Sequence, residues 1–598
     1  MDVPMHRFKY TKLSKEQIGQ KLASVTNGPA SASELSDALV GKALKIVTDN
    51  GPVLNYTFKN KNRLTLAEGS EPAIECGYGA LDLTPLVLFS HMDPKTQKGF
   101  NVVIDQNTRL VTVLAVWFSS AIEEKTMGGR EVLVDDREVQ RQIYFGYVET
   151  SDGRPKERHS LTNRLEGKGI HWKQDNGIEV IDLYASLVST NFVELTRHHD
   201  DLSYCAPSDY VIINDHLFVY DRTECEFSGI HTMFAMDLYA MKQVGVRLGF
   251  NENDELEYSM FRGEGEVVGQ LAHLEPFSDR GNCINLAGPS PDAEGNVPPI
   301  PKGQRYAYRP IRDFDNVTED LIFEAAKTTS HSFVEREDIP QTMAGNRLPY
   351  SDLLAGKAFT LRYDHDGPVW NYRILDKENL EWKSEDESEW HKEIYRAFEA
   401  DESLVFFSHM HTGSKPCQSV QIALDLTNGL TTCIHSKMGT EYFGNEAAYH
   451  ALFGVAEMEG IKAPRYMRHG YTDELVGQAY SWTYSEQMTS MHIYTTPHSS
   501  SWTIFTNNQA MGAQWCAPCL YVKLRPGVYI FCLCEEACNG AEMCVCINTN
   551  SMHDCGFGFM GGNLMGGGQG ISLGPIGAIA RHIGAYDIKQ FFGPKKRI

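Results

Sequence analysis

Basic residues are scarce in this chain: 55 Lys and Arg stand against 78 Asp and Glu, a net charge of −23. That imbalance argues against nucleic acid or an anionic membrane surface as partner, since both would repel it. Long apolar runs are also lacking, and none approaches the roughly 20 residues that a helix needs to cross a bilayer. The opening Met1-Asp2-Val3-Pro4-Met5-His6-Arg7 has no apolar signal core, so a cytoplasmic protein is expected. No Walker loop and no His-Glu-x-x-His is present. Gly556-x-Gly558-x-x-Gly561 and Gly570-x-Ser572-x-Gly574 have dinucleotide and nucleophile-elbow spacing, but lack the strand–turn–helix setting that gives those spacings their chemistry. No cofactor is expected.

What the chain has is internal repetition. The phrase Ser/Thr-x-x-Leu-x-Gly-Lys/Gln occurs at Ser36–Lys42, Thr162–Lys168, Ser351–Lys357 and Thr472–Gln478. A turn cluster follows each copy: Asp49-Asn50-Gly51, Asp175-Asn176-Gly177, His365-Asp366-Gly367 and Ser485-Glu486-Gln487. Asx-Gly between alternating apolar runs signals a hairpin, because a type I′ turn needs positive φ at both central residues. Copies one and three share Leu86–Met92 against Leu404–Met410, and copies two and four share Tyr204-Cys205-Ala206-Pro207 against Trp515-Cys516-Ala517-Pro518. An A–B pair has therefore been duplicated to A–B–A′–B′.

Short strands between turns predict a mainly β chain of four antiparallel barrels, arranged as two A–B pairs with short connecting helices. The expected order is an arm (1–34), barrel A (35–122), a connector (123–161) and barrel B (162–275). A proline-rich linker with a helix (276–345) leads to barrel A′ (346–440), a connector (441–471), barrel B′ (472–562) and a glycine-rich tail (563–598).

Residues 35–265 and 350–562 resemble, twice over, the two domains of the molybdenum cofactor biosynthesis protein F family. The residues that carry this are Leu-x-Gly-Lys, Asp-Asn-Gly and Leu-x-Tyr-x-Phe in the A units, and Ser481-Trp482-Thr483-Tyr484, His492-Ile493-Tyr494, Trp502 and Val528-Tyr529-Ile530-Phe531 in B′. The resemblance implies calycin/lipocalin-like barrels. The B units are also similar, more distantly, to the lipocalin-like phenolic acid decarboxylases, which work without a cofactor.

Trp482 and Tyr484, like His492 and Tyr494, are two residues apart and so share a strand face, which predicts an aromatic pocket inside B′ if that face points inward. Tyr484, His492 and His409 are the candidate proton-transfer groups. Trp482, Tyr494, Trp502, Trp172, Tyr184, His91 and His411 are the candidate substrate contacts. Arg158-His159 and Arg468-His469 read as capping pairs. Eight of the fourteen cysteines fall between Cys516 and Cys555, and Cys532, Cys534, Cys544 and Cys546 could meet across a hairpin as zinc ligands or as small apolar filler. The expected function is a cofactor-independent cyclase, isomerase or lyase acting on an apolar or aromatic small molecule. A small-ligand carrier and an accessory of molybdenum-cofactor metabolism are the alternatives. The expected partners are a small-molecule substrate and a second copy in a homodimer.

Overall fold

The structure is a computed structural model that describes residues 13–118, 124–127, 130–133, 139–186, 189–196, 201–224, 229–251, 253–272, 343–414, 416–440, 446–486, 488–505, 514–535, 540–561 and 571–593. Its strands close into four eight-stranded antiparallel barrels. The first is built from Ala43–Thr48, Val53–Asn60, Arg63–Glu68, Ile74–Leu83, Leu86–Asp93, Lys98–Asp105, Leu110–Phe118 and Val139–Val148. The second runs from Lys168–Gln174 to Leu256–Gln270, the third from Ala358–Tyr363 to Ala447–Met458, and the fourth from Gln478–Ser485 to Ile571–Ala585. In each, the last strand pairs with the first, which leaves no open edge.

That closure moves three boundaries. Val139–Val148 and Ala447–Met458 lie in stretches read as connectors, and Ile571–Ala585 lies in the stretch read as tail. An eighth strand is needed to satisfy the backbone of both its neighbours, and its partners are distant in sequence, so local pattern does not reveal it. Among the described residues the helices are Lys15–Ala23, capped by Ser14, and a single 3-10 turn at Lys589–Phe592. The helix expected near Thr318–Lys327 lies outside the described residues. No helix among the described residues is long and apolar enough to cross a membrane.

The fourfold motif now has a physical explanation. Its Ser or Thr hydroxyl accepts the N–H two residues on, at Ala38, Arg164, Leu353 and Glu474. Its glycine has φ between +75° and +87°, where a side chain would be strained. The tight turn points its leucine into one end of the barrel: Leu39, Leu165, Leu354 and Leu475 each belong to the interior cluster. The motif is a plug.

Barrels pack through outward-facing apolar side chains. Leu81, Leu88 and Val116 of the first meet Val219, Val246 and Met260 of the second, and Phe406, Ile434 and Met438 of the third meet Ile530, Cys544 and Phe557 of the fourth. The second and fourth also meet, through Ile181, Val193 and Leu271 against Met491, Ile493 and Ile583. Equivalent residues face each other at that contact. Ser203 bonds Ser499 while, at the mate positions, Ser189 bonds Gln514, and the matching cysteines Cys205 and Cys516 lie 2.7 Å apart. Arg158 and Arg468, read as caps, pair with Asp49 at 2.6 Å and Asp364 at 2.7 Å, which fastens each connector to its A barrel.

Candidate functional site

The first two strands of the fourth barrel set its site. Gln478–Ser485 pairs with Met488–Ile493 so that Tyr480 faces His492 and Trp482 faces Ser490, while Ala479, Met491 and Ile493 point out toward the second barrel. Period-two alternation therefore turns Trp482, Tyr484, His492 and Tyr494 inward, as expected, and Trp502 joins them from the next strand. His492 lies 6.3 Å from Trp502 and 6.4 Å from Tyr494 between ring centroids.

The polar groups of this interior are only partly satisfied. His492 Nε2 is 3.0 Å from the Ser490 hydroxyl, which also lies against the Tyr484 phenol. His492 Nδ1 is buried without a partner, and Tyr494 Oη and Trp482 Nε1 are buried with at most a poorly aligned bond to each other. Leaving such atoms unpaired costs about 1–3 kcal/mol each, a cost a ligand can remove. Burial pulls the His492 imidazole down to about 3, so it is neutral, and it is a weak base until a ligand compensates the charge. Burial, then the nearby Asp554, pushes the Tyr484 phenol well above its ordinary value.

Asp554 is a further inward polar group that the sequence reading did not single out. It projects inward from His553–Gly561, its Oδ1 accepts the Ala578 N–H at 2.6 Å, and burial raises its carboxyl to about 8. A signal was there: Asp554 is the lone acid between Cys546 and Asp587, in an alternating strand whose outward positions are Cys555, Phe557 and Phe559. The same wall carries Gly556, Gly558 and Gly574 on its inner face, and a Cβ at Gly574 would meet nothing within 4 Å. Small residues on one wall thus face rings on the other.

The remaining candidates are in other barrels, so the ten residues do not form one site. In the second barrel Trp172 and Tyr184 are 0% exposed, as are Tyr210 and Tyr220, and Arg222 and Tyr220 both bond Asp182. The Arg222 guanidinium also lies 4.1 Å over Phe192. That interior is filled, and its Asp182 carboxylate is paired. In the fourth barrel Tyr480, Trp502 and Ile504 keep 8–9% of their surface, and His492 keeps more. His492 and Leu533 stand where the second barrel has Asp182 and Arg222.

His91 in the first barrel bonds Tyr56 at 3.0 Å and Cys76 at 3.5 Å, using both ring nitrogens. His409 in the third does the same with Tyr372 at 3.0 Å and the Met410 carbonyl at 3.2 Å. Burial lowers both imidazoles to about 3. His411 stacks on Trp382 at 3.8 Å and its Nε2 is buried without a partner. Asp425, on the neighbouring strand, pairs with Arg525 at 2.9 Å at the end far from His411. Among the described residues, Cys532 and Cys544 of the four hairpin cysteines group with a third donor, Glu542.

A family model of the MoaF N-terminal domain matches residues 331–440, and a model of the MoaF C-terminal domain matches residues 469–584. These stretches hold most of the third barrel and nearly all of the fourth, and the repeat of both barrel types in the first half fits a tandem duplication. No curated protein matches the chain.

Proposed function

We propose, for a chain whose second half matches the MoaF N-terminal and C-terminal domain models in turn, that the fourth barrel is an enzyme site for a small apolar or aromatic molecule. The reaction is a non-redox cyclisation, isomerisation or lyase step that needs no cofactor. Trp482, Tyr494 and Trp502 hold the substrate by apolar contact, and the Tyr484 phenol donates a proton to a developing oxyanion. Neutral His492 accepts a proton at Nδ1, and Ser490 links its other nitrogen to Tyr484. The observation that carries this reading is a buried His492 Nδ1 without a partner, beside a Tyr494 hydroxyl and a Trp482 N–H that are poorly satisfied, within one aromatic barrel that also has open space beside Gly574.

Two measurements test it. The uncharged fluorophore N-phenyl-1-naphthylamine should bind the wild type and fail to bind Gly574→Leu, whose side chain fills the open space while melting remains cooperative. A small-molecule extract incubated in D2O should gain deuterium in one component, at a rate that Tyr484→Phe lowers by about 10²–10⁴. Unchanged probe binding in Gly574→Leu would remove the site, whereas probe binding without Tyr484-dependent exchange would make the protein a carrier. The family also supports a role in molybdenum-cofactor metabolism, which predicts a pterin or molybdenum in the purified protein.

A further inference from the structure

The two halves of the chain treat one buried position differently. Where the first and second barrels meet, Arg141 of the first pairs with Asp209 and, at 2.5 Å, with Asp221 of the second. His231 Nδ1 lies 3.9 Å from the same Asp221. Strand register gives the matching positions between the third and fourth barrels. Asp221 faces Met233 and Thr223 faces His231 in one, while Cys532 faces Cys544 and Cys534 faces Glu542 in the other. The position of Arg141 becomes Tyr449, since Phe145 and Phe453 occupy the same place against Thr112 and Thr432. Tyr449 uses its hydroxyl on the carbonyls of Pro518 and Cys532.

The second interface thus has thiols and one carboxyl where the first has carboxylates and a histidine, and it lacks the cation. Cys532 Sγ, Cys544 Sγ and a Glu542 carboxylate oxygen all lie within 4.8 Å of one another, fully buried. Glu542 Oε1 takes bonds from Gln421 of the third barrel at 2.9 Å and from Cys532 at 3.3 Å, but Glu542 Oε2 is buried with no partner. Gln421 Oε1 is unpartnered too, and the Ser436 hydroxyl lies against the same carboxyl. A buried carboxylate oxygen without a donor is costly in an interface otherwise made of Leu, Ile, Phe and Met.

We propose that Cys532, Cys544 and Glu542 bind a zinc ion between the third and fourth barrels, in the place that Arg141 fills in the first half. Two thiolates and a carboxylate suit a borderline-soft tetrahedral cation, and the Gln421 side chain, which reaches the same carboxyl through Nε2 at 2.9 Å, would supply its amide oxygen as a neutral fourth donor on turning over. Binding releases the thiol protons, and the ion holds the interface together as a guanidinium does in the other half. The site lies on the outer face of the fourth barrel and stands apart from its aromatic interior, so it survives or fails independently of the enzyme reading.

The test is elemental analysis of the full chain purified without chelator, with a sample refolded in zinc sulfate alongside it. Wild type should hold about one zinc per chain, and Cys544→Ser and Glu542→Gln should each hold less than about a tenth of that. Cys546→Ser, on the same strand but outside the trio, should keep the metal. Tyr449→Arg restores the first half's cation and should expel zinc while keeping a cooperative melt. Cobalt should give a thiolate charge-transfer band in wild type that Cys544→Ser loses. Zinc-free wild type after refolding, zinc retained by both Cys544→Ser and Glu542→Gln, or an intact mass two daltons low from a Cys532–Cys544 disulfide would overturn the proposal.

Discussion

Arg222→Leu removes the guanidinium that neutralises Asp182 inside the second barrel. Both side chains are almost fully buried, and the Tyr220 hydroxyl is the other group bonded to that carboxylate. Breaking a buried pair from one side leaves an unpaired charge and costs about 3–5 kcal/mol. The loss of the cation–π contact with Phe192, 4.1 Å away, adds to this. For a cooperative unit of the size of one barrel pair, each kcal/mol lowers the melting temperature by about 2–4 °C, so a fall on the order of 10 °C is expected. The decisive comparison is Asp182→His/Arg222→Leu, which installs the pair that the fourth barrel carries at His492 and Leu533. Removing both charges should recover most of the loss, because a neutral, well-packed replacement of an ion pair is close to neutral in stability. Thermal melts by circular dichroism at pH 7 would check it. Equal melting of the single and double variants would show that packing, and not charge balance, governs this interior.

Asp554 gives a pH signature: its folded-state value of about 8 exceeds the ordinary carboxylate value, so the folded state binds more protons between about pH 4 and 8. Stability should therefore fall as pH rises through that window, and Asp554→Asn should flatten the fall, read as melting temperature against pH beside wild type. Leu475→Ala should destabilise by about 2–5 kcal/mol, since the plug leaves a cavity at the base of the fourth barrel, as urea titration would show. Gly477→Ala should cost as much or more: φ is +87° there, and a Cβ would stand 2.2 Å from the Tyr586 carbonyl oxygen.

Much of this architecture was legible because a strand leaves a local trace. Seven strands of the first barrel follow from alternation and from turns such as Asp49-Asn50-Gly51, where Asn50 has φ of 52°. The inward face of Trp482, Tyr484, His492 and Tyr494 follows from the same parity. The eighth strands were not legible, since closure depends on pairing across the whole barrel. The separation of the ten candidates into four interiors was also hidden: equivalent positions looked alike in sequence, yet Asp182 meets Arg222 and His492 meets Leu533 only through long-range contacts. Likewise, spacing alone put four thiols together, but register set Glu542 across from Cys534 and left Cys534 and Cys546 out of the group.

The contact between the second and fourth barrels is self-complementary: Ser203 with Ser499 mirrors Gln514 with Ser189, and Cys205 meets its own counterpart Cys516. Such reciprocity is the hallmark of a two-fold dimer, here enclosed within a single polypeptide. Fusion frees the two subunits of that dimer from having to be identical. One B unit could then become a solid scaffold with its charges cancelled, while the other kept an unfinished, receptive centre.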